Sequence, residues 1–359
     1  MNNLKVIVFS LLGDNPYTDF FVKHLTDRNV QVAVEEKNLN FIFLSKVIEK
    51  GKPDILHLHT IHYFFLGRNP IHRWIKFLIF IGQICILKSI GVKVVWTVHE
   101  WTDRFSAGKH NIHLIWAIIL GRLFHAIITH CETTKTQIIK ALRLENKNKV
   151  FSVYHGNYIG AYKNEISQGK ARQTLGITPG HLVFLLFGNI HRSKGFLPAI
   201  STFKSLQENQ VSLLIAGFPA EPMIEEEIRE IIQGCDNIFF FPKRVPDDEI
   251  QFYMHACDCV IFPYKTFTTS GATILAMSFG KACIAPNVGF FGDVLDNAGA
   301  FLYDLTNKDG LRQAMQQAIN KKDNISDKGK HNLQLAEQWN WDYVAEETIK
   351  IYHSCLDLN

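Results

Sequence analysis

Thr269-Ser270-Gly271 combines residue types that can hold an anion at the start of a helix. The three residues follow the apolar run of residues 259–263 and precede a helix-forming run that ends at Gly280. The Ser270 hydroxyl can accept a hydrogen bond from an unpaired backbone amide, and Gly271 allows the backbone to approach a ligand closely. Because a helix start presents free N–H groups and a positive dipole end, the pattern predicts an anion site or an ordinary strand-to-helix connection.

A second candidate for anion binding, the segment FGNIHRSKG at residues 187–195, follows another apolar run. Gly188 permits a tight exit from a strand, while Arg192 and Lys194 offer cations that suit phosphate oxygens. Solvation alone also explains Arg and Lys in a surface loop. If the sheet is parallel, however, this loop and the helix start at Ser270 both lie where strands end, so two anion-binding features are expected at one edge.

Histidine and carboxylate side chains in the first half suit acid–base chemistry. His99 and Glu100 follow the apolar run of residues 92–98, and Asp14 lies in the turn after the run of residues 4–10. A carboxylate such as Glu100 or Asp14 can serve as a general base, and an imidazole such as His99 can accept or donate a proton. A histidine after a strand is also often an ordinary loop residue.

Apolar runs and helix-forming segments alternate along most of the chain and would position these residues. The alternation predicts an α/β protein with parallel, doubly wound sheets. At 359 residues the chain exceeds the usual single-core limit of about 250–300 residues, so two domains are expected. Polar composition at residues 161–180 marks the linker. We expect Rossmann-like domains over residues 1–165 and 166–335, with a terminal helix over residues 336–359 that packs back across the boundary.

Charge is divided unevenly along the chain. Residues 1–169 contain 21 Lys and Arg against 12 Asp and Glu, and the remainder contains 17 against 22, so the net +4 divides into +9 and −5. The basic half suits an anionic membrane surface, a phosphate-bearing ligand or simple solvation. The apolar run at residues 77–87 could lie on a membrane surface or cover the sheet, but it is shorter than the roughly 20 apolar residues that span a bilayer. Nucleic acid is not expected as a partner, because no recognition motif accompanies the basic excess.

Cysteine usage and the N-terminus predict a cytoplasmic protein. The seven cysteines are scattered singly apart from Cys257 and Cys259, which are too close for a CxxC metal or redox motif. The first residues lead directly into a strand and lack the pattern of a signal peptide. Histidine and carboxylate residues lack metal-ligand spacing, so no metal site is expected.

Several segments, in order, resemble the family-4 type of GT-B glycosyltransferases (glycosyl transferases group 1). In the second half they are FGNIHRSKG, LLIAG, VIFPY, SGATILAMSFGKACIAP and WNWDYVAEETIKIY. The first half adds the glycine loop after the first strand, PDILHLHT, VVWTVHEW, AIITHCETTKTQI and VYHGN. The resemblance covers nearly the whole chain and implies two Rossmann-like domains that face a central cleft.

The resemblance also implies roles for individual residues. The donor, a UDP- or GDP-sugar, would bind the second domain without a metal, through Gly188, Asn189, Arg192, Lys194, Thr268, Thr269, Ser270, Gly271 and Ala272. The first domain would bind the acceptor, with Gly13 and Asn15 in its loop. His99 would lie near the donor sugar, with Glu100 or Asp14 as the base.

The chain departs from the family pattern at two positions. The family usually carries two glutamates seven residues apart, which hold the donor sugar and the nucleotide ribose. In this chain the corresponding residues are Phe267 and Leu275. A variant SGxxxLA donor loop therefore replaces the usual one, and the stereochemical outcome stays open.

The sequence supports three alternative functions. The first is hexose transfer from a nucleotide sugar to a saccharide in polysaccharide or glycolipid biosynthesis, with a lipid-linked acceptor and peripheral attachment to the inner face of the plasma membrane as options. The second is a nucleotide-sugar 2-epimerase on the same fold. The third is a noncatalytic nucleotide-sugar-binding protein, since both glutamates are missing.

Overall fold

The chain forms two compact α/β units. A computed structural model describes residues 4–10, 15–35, 42–65, 69–100, 114–265 and 267–357. The first unit comprises Met1–Gly156, Phe267–Thr269 and Asn340–Asn359, and the second comprises Asn157–Thr266 and Ser270–Trp339. The prediction of an α/β fold built on two parallel sheets is confirmed.

A six-stranded parallel sheet organises the first unit, with strand order β2-β1-β3-β4-β5-β6. Its strands are rich in Val and Ile and largely buried, as expected for a parallel sheet that is covered on both faces. The order changes direction between β1 and β3, and ligands of doubly wound sheets bind at such a point, outside the carboxyl ends of the strands. The strands are β1 (Lys5–Phe9), β2 (Gln31–Glu35), β3 (Ile55–Leu58), β4 (Lys93–Thr97), β5 (Ala126–Thr129) and β6 (Val150–Ser152).

Helices cover both faces of this sheet. One hydrophobic cluster joins the sheet to the apolar faces of the second, third and fourth helices, and another includes Tyr17, Phe21 and Leu25 of the first. The helices are α1 (Tyr17–Thr26), α2 (Leu44–Glu49), α3 (Pro70–Ser89), α4 (Leu114–Leu123) and α5 (Glu132–Ala141).

The second unit repeats this architecture around a parallel sheet of order β12-β11-β10-β7-β8-β9. Its direction changes between β7 and β10, so the loops that follow these two strands are neighbours at the carboxyl edge. The strands are β7 (Leu182–Phe187), β8 (Val211–Ala216), β9 (Ile238–Phe241), β10 (Cys259–Ile261), β11 (Ala282–Pro286) and β12 (Ala300–Tyr303). The helices are α6 (Gln168–Leu175), α7 (Phe196–Leu206), α8 (Ile224–Ile232), α9 (Ile250–Ala256), α10 (Gly271–Ser278), α11 (Gly289–Val294), α12 (Gly310–Asn320) and α13 (Ile325–Gln338).

The polar segment that suggested a linker contains a packed helix. Ser167 caps α6 by accepting a hydrogen bond from the Lys170 amide. Arg172 of α6 donates to Asp258 at 2.7 Å and to the Ala256 carbonyl at 3.0 Å, which fixes the helix against the second unit. The two units divide after Gly156, earlier than the predicted boundary at residue 165. The exposed surface of a helix such as α6 shares its polar composition with a linker.

The final helix, α14 (Trp341–Asp357), belongs to the first unit. Trp341, Val344, Ile351 and Tyr352 are buried in the hydrophobic cluster that also contains the buried side of α1. Arg28 of α1 donates to Asp342 at 2.8 Å and to Glu346 at 2.9 Å. Helix α14 therefore completes the same unit as β1 and α1.

Helix α3 contains the apolar run at residues 77–87 and extends beyond it at both ends. It is long and apolar enough to cross a membrane by length and composition only, with a mean hydropathy of 1.4 in its most apolar 18-residue window. Phe77, Phe80, Ile84 and Leu87 are nevertheless buried in the core of the unit. The helix therefore covers the sheet with one side.

Candidate functional site

Glycines bring the loops at the carboxyl edge of the second sheet into backbone contact. A Cβ atom at Gly217, which follows β8, would overlap the Gly188 carbonyl, and one at Gly195 would overlap the Pro263 carbonyl beyond β10. Gly195 also has a φ of +69°, a region that disfavours other residues. The loops after β7, β8 and β10 thus form one packed group in which backbone lies close to backbone.

Lys194 lies at the centre of this group. Its ammonium is 5.5 Å from the centre of the Tyr264 ring, and a Cβ at Gly188 would lie 4.0 Å from the same Nζ atom. Tyr264 is buried, and burial raises the pKa of its hydroxyl, so the tyrosine stays uncharged beside the lysine. The Lys194 ammonium therefore lies beside the glycine turn, and Asn189 in the same turn is exposed.

Arg192 has carboxylate partners that the sequence did not predict. Its guanidinium donates to both oxygens of Glu227 on α8, at 2.7 Å for the Nη1 bond. Its Nε atom lies 3.3 Å from Glu221. The Glu227 hydrogen bond raises the pKa of Arg192, and the same bond lowers the pKa of Glu227. Two glutamates therefore hold the Arg192 guanidinium, and a phosphate would have to compete with both of them.

The start of α10 has the predicted capping geometry. The Ser270 hydroxyl accepts hydrogen bonds from the Thr273 amide at 3.3 Å and the Thr273 hydroxyl at 2.9 Å. A Cβ at Gly271 would lie 3.2 Å from the Tyr158 hydroxyl, so the backbone is tightly packed there. Ser270 acts mainly as the cap, which leaves the first amides of the helix, at Gly271 and Ala272, as the groups suited to an anion.

Thr268 and Thr269 group with the first unit, although Ser270 groups with the second. The Thr134 hydroxyl at the start of α5 donates to the Thr268 carbonyl at 3.3 Å. The buried Thr269 hydroxyl oxygen has no hydrogen-bond partner among the described residues. Leu275, at one of the two positions where the family has a glutamate, is buried within α10.

The described residues among the first unit's predicted site lie just beyond β4 and just before α1. His99 is buried just beyond β4, and Glu100 beside it is exposed. Asn15 accepts a hydrogen bond from the Tyr17 amide at 2.9 Å and so fixes the start of α1. Gly13 and Asp14 lie outside the described residues.

A histidine cluster surrounds His99, and most of it was not predicted. Four neighbouring strands, β3 to β6, are each followed by a buried histidine: His59, His99, His130 and His155. The Tyr17 ring contacts all four, with ring centroids 4.9 to 6.1 Å apart. Comparing the residue after each apolar run would have singled out the four histidines, since HLHT, TVH, ITH and VYH each end a run with one, but their contact depends on the strand order.

The cluster is uncharged at neutral pH. Burial lowers the pKa of His130 to about 4 and of His155 to about 3, and it lowers those of His59 and His99 as well. His59 Nδ1 and His99 Nε2 share a hydrogen bond of 2.9 Å. His130 Nδ1 lies 3.0 Å from the Val153 carbonyl, and His155 Nδ1 lies 2.7 Å from that of Gly156. Hydrogen bonding within this cluster therefore fixes the orientation of His99.

Two sizeable cavities lie at the amino ends of the strands, one in each unit. One of about 550 Å³ is lined by Lys5 and Gln31, where β1 and β2 begin. Another of about 570 Å³ is lined by Asp258 and Lys281, just before β10 and β11. Because ligands of parallel α/β sheets bind at the carboxyl ends, we assign neither cavity to the candidate site.

Comparison with known proteins agrees with this architecture. Residues 181–321 match the family of glycosyl transferases group 1. A GDP-mannose:glycolipid 4-beta-D-mannosyltransferase of Xanthomonas campestris pv. campestris is 28% identical over 302 residues, covering 83% of this chain and 79% of that protein. The crystal structure of Anabaena HepE in complex with UDP and glucose superposes with a TM-score of 0.73 at 15% identity, covering 98% of this chain and all of HepE. Sucrose-phosphate synthase from Thermosynechococcus elongatus superposes with a TM-score of 0.75 at 14% identity, covering 99% of this chain and all of that protein.

The fold and the match define the class of the protein. It is a glycosyltransferase with the GT-B fold. Its second unit carries a domain of the glycosyl transferases group 1 family, which occupies residues 181–321.

Proposed function

We propose that the protein transfers a hexose from a UDP- or GDP-sugar to a saccharide acceptor, without a bound metal ion. The observation that carries the donor assignment is the position of Lys194 beside Gly188, on the edge of the sheet where α10 begins. A lysine ammonium and the free amides of a helix start both suit a diphosphate. Two similar proteins support a nucleotide sugar as the donor. The name of one specifies GDP-mannose, and the crystal structure of the other is a complex with UDP and glucose.

Metal independence is proposed from the charges of the donor site. Lys194 and the α10 dipole can neutralise a leaving diphosphate, the task that a divalent cation otherwise performs. Across the described ranges, no group of three or more His, Cys, Asp or Glu side chains is placed to hold a metal ion. The donor residues are Gly188, Asn189, Arg192, Lys194 and Thr268 to Ala272, with Arg192 bound to Glu221 and Glu227 until a ligand competes for it.

The first unit would supply the acid–base residues. We assign His99 to contact with a substrate oxygen, and Glu100 or Asp14 to the role of general base if the reaction inverts the anomeric centre. Glu100 is exposed and follows His99 directly, so it can reach a substrate that His99 contacts. Gly13 and Asn15 are proposed for the acceptor loop, although Asn15 also fixes the start of α1.

A lipid-linked acceptor would explain the large hydrophobic residues on the exposed side of α3. Ile71, Trp74, Ile75, Leu78 and Ile86 are exposed large hydrophobic residues at helical spacing. The helix contains Arg73, Lys76 and Lys88 but no acidic residue. An apolar stripe with basic flanks suits the interface of an anionic membrane. We therefore propose peripheral attachment of the first unit at the cytoplasmic membrane face, in glycolipid or exopolysaccharide synthesis.

One experiment tests the assignment of activity. The protein is screened for thermal shifts with UDP- and GDP-sugars, and then incubated with GDP-mannose or UDP-glucose and a lipid-linked saccharide, with and without EDTA. We expect acceptor-dependent sugar transfer that EDTA leaves unchanged. An epimerised sugar formed without acceptor would establish the 2-epimerase alternative, and nucleotide binding without any turnover would favour the noncatalytic one.

A further inference from the structure

The hydrogen bond between His59 and His99 restricts the protonation of both rings. His59 Nδ1 and His99 Nε2 are 2.9 Å apart, and both side chains are buried. Burial lowers the pKa of each, so both imidazoles are neutral at neutral pH. A neutral imidazole carries one N–H and one acceptor nitrogen. One of the two rings must therefore donate to the other, which leaves two possible pairs of tautomers.

The second nitrogen of His59 distinguishes the two pairs. His59 Nε2 is buried and has no hydrogen-bond partner among the described residues. If His59 Nδ1 accepted the bond, the proton of His59 would lie on Nε2, as an unpaired buried N–H. If Nδ1 donates, Nε2 carries only a lone pair. Buried donors without a partner are rarer than buried acceptors that lack one, so donation by His59 is favoured.

We propose that His59 is a positioning residue that holds His99 as the Nδ1–H tautomer by donating from Nδ1 to His99 Nε2. His99 then presents an N–H donor to a substrate oxygen and does not act as the base. The base role falls to a carboxylate, such as Glu100. The catalytic part of this inference rests on the proposed function, whereas the tautomer assignment stands on the geometry of the first unit alone.

The neighbouring strand residue provides a matched control. His57 is as buried as His59 and lies two residues earlier on β3. Its ring forms hydrogen bonds with the hydroxyls of Tyr352 at 2.6 Å and Thr97 at 2.7 Å, which occupy both of its nitrogens. Replacing His57 therefore disturbs the same core without removing the partner of His99.

The tautomer can be measured without any enzyme assay. The full chain is labelled with ¹⁵N-histidine, the His99 signals are assigned by their loss in His99→Asn, and two-bond ¹H–¹⁵N correlations locate the proton. We expect His99 to be protonated at Nδ1 and unprotonated at Nε2. A proton on His99 Nε2 would overturn the proposal, whatever the protein catalyses.

Kinetics tests whether the tautomer matters. We expect His59→Phe, which keeps a ring but removes the donor, to lower kcat by about tenfold or more, since a misplaced catalytic group can cost about 100-fold. KM for the nucleotide sugar should change little. His59→Asn keeps an N–H donor near the Nδ1 position and should recover most of the rate, and His57→Phe should lower the unfolding midpoint without a matching loss of kcat.

The outcomes separate the two proposals. A wild-type kcat in His59→Phe, or equal losses in His57→Phe and His59→Phe, would reject the positioning role. If wild-type protein transfers no sugar to any acceptor, the proposed function fails, and the NMR experiment still decides the tautomer.

Discussion

Lys194 and Arg192 show how two cations of one short segment acquire different roles. Both residues lie in the segment that follows β7. Glu221 and Glu227 pair with Arg192, and Lys194 lies over the ring of the uncharged Tyr264. A phosphate at Arg192 would have to compete with these two carboxylates. Lys194 is a candidate for the proposed donor diphosphate because its ammonium lies beside the glycine turn after β7.

Lys194→Ala should weaken nucleotide-sugar binding. A hydrogen bond to a charged group contributes about 1.5–3 kcal/mol, which corresponds to roughly 10- to 150-fold in Kd. Titration calorimetry with UDP and GDP measures the change. Lys330→Ala, at an exposed lysine of α13 paired with Asp327, serves as the control. Equal affinities for wild type and Lys194→Ala would remove Lys194 from the donor site.

Loops and strand ends, rather than single side chains, define the two candidate sites. In the second unit, glycines let three loops pack backbone to backbone at the carboxyl edge. In the first unit, four parallel strands in neighbouring positions each deliver a histidine to one edge. Both arrangements follow from parallel pairing, because the carboxyl ends of all strands meet at the same side of a sheet.

Gly195→Ala should disrupt the loop group in the second unit. The substitution adds a Cβ that overlaps the Pro263 carbonyl, in addition to the cost of about 1–2 kcal/mol for a left-handed residue. Gly176→Ala is the matched control, because Gly176 has the same φ of +69° but open space around it. We expect a lower thermal midpoint and weaker nucleotide binding for Gly195→Ala than for Gly176→Ala. Indistinguishable variants would show that the close approach does not constrain the loop.

The histidine cluster, together with the buried His57 of β3, should make the first unit sensitive to acid. Folding lowers the pKa of His130 to about 4 and of His57 and His155 to about 3, whereas the unfolded chain has ordinary values near 6.5. Above about pH 6.5 neither state is protonated, so these residues add no pH dependence. Below it the unfolded state binds more protons, and stability falls as the pH drops, by about 1.4 kcal/mol per pH unit for each proton.

Chemical denaturation between pH 4 and pH 8 measures this effect. We expect a plateau above about pH 6.5 and a decline below it that corresponds to more than one proton. His130→Asn, which removes one of the buried imidazoles, should make the decline shallower. A stability that stays constant between pH 6.5 and 4.5 would contradict a neutral buried cluster.

Distant parts of the chain combine in the first unit. The same unit carries an exposed apolar surface on α3. Helix α14 joins α1 over one face of the first sheet, although more than 300 residues separate Arg28 from its partners Asp342 and Glu346. On α3, only 28% of the most apolar window is buried. The first unit therefore carries both a core closed by the C-terminus and an exposed apolar stripe.

Ile75→Glu should reduce binding to anionic vesicles. The residue is 49% exposed on α3, and a carboxylate there removes apolar area and repels anionic headgroups. Ile48→Glu is matched in residue type and in exposure, at 53%, but lies on α2. In flotation with phosphatidylserine-containing liposomes we expect the wild type and Ile48→Glu to float and Ile75→Glu to float less. Wild-type protein that stays at the bottom of the gradient would reject peripheral attachment.

Local sequence predicted several strands and the helix cap at the start of α10. Strands Ala126–Thr129, Leu182–Phe187 and Val211–Ala216 and the Ser270 cap could be predicted, because apolar runs and capping hydroxyls act over a few residues. Tertiary structure alone decided which residues meet. It paired Arg192 with Glu227, joined α14 to α1, made α6 part of a domain and gathered His130 and His155 around His99. Such contacts depend on strand order and on packing between distant segments, which no local pattern encodes.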